Sequence, residues 1–585
     1  MIATPDPEAM VIWLVEVDFG GRMIRLCDAM PDADALHVDS DAGPLHFHAV
    51  LDEFQVTESI NAGDTTMDMP EASISCVWPL NVAARIAAGF PLTFAPAKVS
   101  RWVVGTSYEE RRVVVVGRVC NPVYGAEGEP TSCTISGAPW LDRQLIPPAG
   151  QIVTGANFLT SITSLDTDQL GKLYPRVYGN PGKVDASVSS GGQVSGARGR
   201  RIDARADDDA GNNQQVRILV AGHHVAAQRA YLLTEDETAA ERVFIRNGFD
   251  DAGQPIAFVP WFYVSSPIGA PQADADNGTY SYSYSVTDFD SATTYALGSG
   301  SLASSFNDTQ SQAYLVWIDD EDDSRGGVTR DGVTVRSAGD VILDLLEQST
   351  LPVDRTRMAT AARLLRPFLL DFAIDARVTP WDFIVNQLLP LLPATPVPGP
   401  EGMALVVWRY DAKASDAVAL LDTGADPSVS RASMVEEDSS MVANEFTLRY
   451  AKSVRTNTFV GVARLTAGEY DADAPDVVPD ALCALSAKRF GLSEKTLDAP
   501  VVYDRTTAFL ILNWWAKAFA LPRVAVEYDV DEVTYWKVGV GDVVLVTDPE
   551  IALQRRVALV REVTLGSAPG TTRLRLQLLP PETLR

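Results

Sequence analysis

Histidine, cysteine and carboxylate groups build most active sites, so their spacing is read first. The chain of 585 residues holds five histidines. His46 and His48 stand two apart in "LHFHAV", which places them on one face of a strand, a spacing that suits two metal ligands. A third ligand is missing, because His37 is isolated in an acidic loop and the adjacent His223 and His224 would point to opposite strand faces. These positions read as ordinary strand histidines, and no metal is expected. The acidic runs "DDDAGNN", "ADADNG" and "IDDEDDSRGG" resemble calcium loops only superficially. Counted from Asp319, the sixth position is Ser324 instead of Gly and the twelfth is Arg330 instead of Glu. Solvated turns are the simpler reading.

Nucleophile and cofactor signatures are absent: there is no GxSxG, no GxxxxGK[ST], no HExxH and no GxGxxG after a strand. A pair of carboxylates for glycoside hydrolysis is defined by spatial separation, which 77 acidic residues in sequence do not reveal. Tyr280, Tyr282 and Tyr284 in "TYSYSYS" would line one strand face, either as a surface for stacking sugars or as a packed strand. The five cysteines, Cys27, Cys76, Cys120, Cys133 and Cys483, are odd in number and widely spaced, so they read as reduced, mostly buried thiols. The expectation is therefore a protein without catalytic residues and without a cofactor.

Charge narrows the partners. Lys plus Arg is 48 and Asp plus Glu is 77, a formal net charge of −29. Nucleic-acid affinity depends on Lys and Arg displacing counterions from phosphates, so this balance argues against a nucleic-acid binder. It is compatible with a surface past which DNA slides without sticking. No signal peptide is recognised in "MIATPDPEAM", and the most apolar window, Ala508–Leu521, holds Asn513 and Lys517 and is shorter than the ~20 residues a span requires. It reads as a core helix, and no membrane span is expected.

These residues must be carried by elements, and the apolar alternation is mainly that of strands. Residues 11–27 read as a hairpin turning at Gly20-Gly21. Further short strands define a small β-barrel or sandwich over residues 1–147, followed by a Pro/Gly-rich elbow over 148–184 containing "KLYPRVYGNPGKV". Residues 185–335 read as a β-rich insertion, opened by a Gly/Ser/Asp-rich flexible lead-in and including the hairpin turn "FDDAGQP". A helical part over 336–400 starts at a Ser337/Asp340 capping box, and a second helix opens at Thr379-Pro380 with Trp381, Ile384, Val385, Leu388 and Leu389 as its buried stripe. Residues 401–521 form an α/β middle region, helical over 478–521, that contributes strands to a second barrel. Residues 522–585 supply the rest of that barrel, with Gly541-Asp542 at a turn. The fold class is thus multidomain and mainly β with an α/β middle part: two small barrels plus an inserted β domain.

Taken in order, "VIWLVEVDFGGRMIRLCDA", "LYPRVYGNPGKV", "DFAIDARVTPWDFIVNQLLPLLPATPVPGPEGMALVVWRYD", "VANEFTLRYAKS" and "VGVGDVVLVTDPEIALQRRVALVREVTL" resemble the central hub proteins of bacteriophage tail tips and baseplates, a family with counterparts in gene transfer agents. The resemblance covers residues 8–182 and 336–585 and leaves 185–335 as an insertion. It implies two tail-tube-like barrels per chain and a homotrimer whose six barrels match a sixfold tube to a threefold tip. It also implies a non-enzymatic virion protein at the tail tip, assembled in the host cytoplasm. The partners implied are the tail tube or distal tail protein, the tape measure protein and distal spike or fibre proteins, with phage DNA passing transiently. The alternatives from other classes are a tail-associated cell-wall or polysaccharide hydrolase, or a receptor- or carbohydrate-binding protein using residues 185–335. In the elbow, Pro175 and Pro181 limit the backbone, Gly179 and Gly182 supply positive φ, and Tyr174 and Tyr178 pack against a barrel or a neighbouring subunit.

Overall fold

The structure, a computed structural model, describes residues 11–28, 35–40, 43–57, 71–78, 82–125, 130–137, 144–148, 150–154, 170–184, 193–206, 213–225, 229–233, 240–265, 279–288, 293–303, 312–318, 329–330, 333–399, 402–436, 442–468, 476–568 and 571–580. The acidic runs at 207–212, 273–278 and 319–327 lie outside them.

The apolar run in "VIWLVEVD" makes β1 (Val11–Asp18), whose adjacent Leu14 and Val15 are both buried in separate clusters; it turns at Gly20-Gly21, both at positive φ, into β2 (Met23–Asp28). Six further strands follow: β3 (Ala35–Ser40), β4 (Gly43–Thr57), β5 (Glu71–Cys76), β6 (Pro96–Val103), β7 (Arg112–Val123) and β8 (Thr131–Ser136). Their order is β2-β1-β6-β7-β8-β5-β4-β3, and an added parallel pairing of β2 with β4 closes seven of them into a ring. The interior is filled by Val15, Val17, Phe19, Leu26, Ile74, Val99, Val115 and Ile135, all buried. Closure removes the free edges of the seven ring strands, while β3 stays outside the ring, paired with β4. His37 sits on β3, directly opposite His46 on β4, and so is not in a loop as the acidic context suggested.

A nine-stranded sheet occupies the insertion. Its order runs Ala240–Phe244, Arg229–Leu233, Gln312–Ile318, Ala197–Ala206, Asn213–Ala221, Pro255–Ser265, Thr279–Asp288, Thr293–Ala303, with Arg246–Phe249 added beside Pro255–Ser265. The hairpin turn in "FDDAGQP" is present, with Asp250 Oδ1 accepting from Ala252 and Gln254 amides. Ala197–Ala206 corrects the flexible lead-in expected there: this polar segment is a ten-residue central strand. A ladder is held by backbone groups, so a strand flanked on both sides does not need an apolar sequence.

Ser337 caps the helix Ala338–Glu347, accepting from the Asp340 amide at 3.2 Å, and the helix Arg355–Leu365 packs on it. Gly339 allows that approach, since a Cβ there would lie 2.3 Å from the Ala362 backbone. Thr379 caps the next helix as the sequence indicated, but only Pro380–Phe383 is α-helical; Ile384–Leu388 is a π turn and Leu389–Leu391 a 3₁₀ turn. Pro390 has no amide to donate, which ends regular helical bonding there. Trp381, Ile384, Leu388 and Leu389 are buried, and Val385 is half-buried. The helical reading of 478–521 needs one correction. Helices Ala481–Phe490 and Arg505–Phe519 are separated by the strand Glu494–Ala499, because Gly491 at φ +82° stops the first helix and the chain then pairs parallel with Glu445–Lys452.

The C-terminal sheet has six strands in the order Ala419–Asp422, Val543–Asp548, Leu553–Ala568, Thr571–Leu578, Val524–Asp531 and Val429–Glu436. Tyr528, Val544, Val560 and Leu574 are among its buried residues. It curves as a half-barrel, and among the described residues it has no closing pairing like that of the N-terminal ring. The molecule is thus multidomain and mainly β, with the helices confined mostly to its middle.

Candidate functional site

The elbow and the contact between the two barrel-like units carry the densest polar bonding around the residues singled out in the sequence. The segment Arg176–Tyr178 forms β9 and pairs antiparallel with Phe372–Ile374. Tyr174 and Tyr178 are both fully buried, each against a different unit. Tyr174 lies with Val153, Leu219 and Ile256 at the insertion sheet, and its Oη donates to Asp250 Oδ2 at 2.8 Å. Tyr178 belongs to the middle core, and its Oη donates to Asp344 Oδ2 at 2.6 Å, where the Arg176 guanidinium also binds at 2.6 Å. Burial pushes the Tyr178 phenol well above its usual range, which keeps it a donor. Among the described residues the Tyr174 ring clusters with the insertion sheet and the Tyr178 ring with the middle core.

The elbow backbone is held as tightly. Pro175 O accepts from the Gly222 amide at 2.8 Å, and the Val177 amide donates to His223 Nε2 at 3.0 Å. His223 Nδ1 lies 2.9 Å from His224 O, so only the neutral tautomer with its proton on Nδ1 satisfies both bonds. Burial and the nearby Arg176 charge lower the His223 pKa to about 3, in agreement with that assignment. Gly179 is at φ +57°, and a Cβ there would lie 2.2 Å from Asp371 Oδ1 and 2.6 Å from Leu370 O. Asp371 is fully buried; it accepts from the Asn180 amide at 2.8 Å and from Arg336 at 2.7 and 3.1 Å. Burial raises its pKa, and Arg336 partly opposes that shift. Pro181 is buried and Gly182 has φ +119°. Three units therefore converge on the elbow: the insertion sheet through Gly222, His223 and Asp250, the helix through Asp344, and the loop at Asp371.

The second cluster joins the barrel to the half-barrel. Arg101 on β6 meets Glu532 at 2.8 Å, with side chains only 7% and 1% exposed. The guanidinium also stacks over Trp13 on β1, 4.6 Å from the ring centroid. Burial lowers the Arg101 pKa and raises that of Glu532, while the attraction between them opposes both shifts. Arg112 donates to Val538 O at 3.3 Å, and Trp536 Nε1 donates to Glu110 O at 3.2 Å. Nearby, Gly541 has φ +88°, its amide bonds Val560 O, and a Cβ would lie 2.2 Å from Val406 Cγ1. Asp542 Oδ2 accepts from the Gly539 amide at 2.8 Å, which folds the turn ahead of Val543–Asp548. Arg101, Glu532 and Asp371 carry no motif that marks them in the sequence. The available signal was a lone Arg inside the apolar strand "VSRWVV".

His37, His46 and His48 lie side by side with ring centroids 4.8 Å apart, yet tilted or edge-on to one another. Among the described residues no group of three His, Cys, Asp or Glu is disposed to hold a metal ion. All five thiols are buried, and burial pushes those of Cys27 and Cys133 up to about 12, far from a reactive thiolate. Tyr280, Tyr282 and Tyr284 fall on the strand Thr279–Asp288, in register with Leu302, Gly300 and Gly298; their side chains lie outside the described residues. Among the described residues no helix is long and apolar enough to cross a membrane.

No protein-family model matches the chain, and no curated protein sequence does. Solved structures do show likeness. A chain of the virion of a native gene transfer agent particle is 13% identical with a TM-score of 0.36, over 72% of this chain and 88% of that one. The tail protein from Neisseria meningitidis MC58 is 11% identical with a TM-score of 0.31, over 97% and 96%. The 43 kDa tail protein of prophage MuSo2 from Shewanella oneidensis is 10% identical with a TM-score of 0.29, over 98% and 100%.

Proposed function

We propose that this chain is a structural, non-enzymatic virion protein: the trimeric hub of a phage-type tail tip or baseplate. The observation that carries the reading is the pairing of two β units in one chain, a closed seven-strand ring and a six-strand half-barrel fixed by the buried Arg101–Glu532 contact. One chain offering two such units lets three copies present six, the number needed to meet a sixfold tube from a threefold tip. The order of sequence motifs resembling hub proteins supports the same assignment. In this reading the N-terminal ring and half-barrel face the tail tube or distal tail protein, with the tape measure protein above and spike or fibre proteins below.

The net charge of −29 gains a role in such a ring. Carboxylates lining the lumen repel DNA phosphates, so the genome passes during ejection without being held. A structure of the assembly with a neutral or basic lumen and the acids outside would overturn this part of the reading. The decisive test of the whole is the mass of the purified assembly together with labelling of the protein in virions. Three copies located at the distal tail support the hub; a monomer at all concentrations, or a position on the head, overturns it.

A further inference from the structure

A cleft of about 760 Å³ runs along the contact between the barrel, the helix Arg355–Leu365, the hairpin Ala394–Val407 and the half-barrel. Its charge is opposite to that of the chain. Arg111, Arg112, Arg357, Arg409 and Lys537 line it, against three acidic residues. Of those three, Asp416 is paired with Arg409 at 2.9 Å, and Asp542 is turned onto the Gly539 amide. Arg357 is 57% exposed, lies 3.9 Å from Asp354 and also acts electrostatically on Asp542, while Lys537 is exposed. The floor between these cations is apolar: Val397, Val406 and Val540 line it, and Val418 and Leu364 are 61% and 44% exposed at its rim.

We propose that this cleft receives an acidic, partly apolar segment of a second copy of the same chain, and that it is the main attractive contact of the assembly. Copies that each carry −29 repel one another, so association needs a place where opposite charges meet at short range. The cleft is such a place. An apolar floor suits a polypeptide better than a phosphate chain, which would leave those valines against water or charge. The position also matches the need, because the cleft is bounded by both barrel-like units and a segment seated there would clamp them together.

The inference rests on the reading of the chain as self-assembling, and the test separates the two. Light scattering on the full-length protein gives the mass of the parent, of R357E/K537E, of Thr360→Trp, which narrows the cleft without changing charge, and of Arg449→Glu, which alters an exposed pair outside the cleft. Circular dichroism confirms that each variant is folded. The expected result is a trimeric parent and trimeric Arg449→Glu, with association weakened at least tenfold in R357E/K537E and in Thr360→Trp. A trimeric parent with cleft variants that associate equally well overturns the cleft alone. A parent that stays monomeric overturns both readings. Should the charge-reversed variant fail to fold, Thr360→Trp decides the matter by itself.

Discussion

At the residue scale, the elbow shows how a few positions are specified by chemistry that sequence only partly displays. Gly179 was legible, because a glycine between Tyr178 and Asn180-Pro181 marks a turn that requires positive φ. What was not legible is the reason for its tightness: a buried carboxylate, Asp371, comes from 192 positions further on and occupies the space a side chain would need. Gly179→Val should destabilise the elbow by about 2–3 kcal/mol, combining backbone strain with displacement of Asp371. Thermal unfolding of the full chain and its mass in solution check this, and an unchanged midpoint with an unchanged mass would refute it. His223 supplies a pH prediction. Its folded pKa lies below the unfolded value of about 6.5, so the folded state is favoured while the ring is neutral, and stability is lost as pH falls from ~6.5 toward 3. The ring is half-buried, so the slope should be at most about 1.4 kcal/mol per pH unit. The protection factor of the Val177 amide, the intrinsic exchange rate over the observed one at each pH, should fall over that window, and His223→Phe should lose the pH dependence along with the bond.

At the element scale, patterns that repeat every two or three to four residues were readable and pairings across the chain were not. The β1–β2 hairpin, the Ser337 and Thr379 caps and the core helix over Arg505–Phe519 all announce themselves locally. The strands Ala197–Ala206 and Glu494–Ala499 do not, because each is also held by a partner more than 40 residues away, Gln312–Ile318 and Glu445–Lys452. The same holds for the join between the barrels, where Arg101 and Glu532 meet across 431 positions. Arg101 Nη1 and Glu532 Oε1 are buried there without hydrogen-bond partners, so the pair is incompletely satisfied. Removing one member should therefore cost more than removing both. Arg101→Met alone leaves a buried carboxylate and should destabilise the contact by about 3–5 kcal/mol, whereas adding Glu532→Leu should recover most of that loss. Hydrogen exchange across the strand Val524–Asp531 reports the opening. A double variant no better than the single one would show that the ion pair is a net stabiliser.

At the scale of the whole molecule, the proposed assembly would feel two electrostatic effects of opposite sign, and their ranges differ. Repulsion between copies of charge −29 is long-ranged and is screened once the Debye length falls to about 10 Å at 0.1 M salt. Attraction between the cationic cleft and an acidic segment acts at contact and persists until the screening length approaches about 3 Å, near 1 M. Association should therefore strengthen from 0.01 to 0.1 M salt, as the repulsion is removed, and weaken again toward 1 M as the contact pairs are screened. R357E/K537E should keep the rising limb and lose the falling one, because only the local attraction has been removed. Sedimentation across that salt range measures both limbs. A parent whose association only strengthens with salt would mean that apolar contacts alone hold the copies together, and the charge reversal of the cleft would then have no part in assembly.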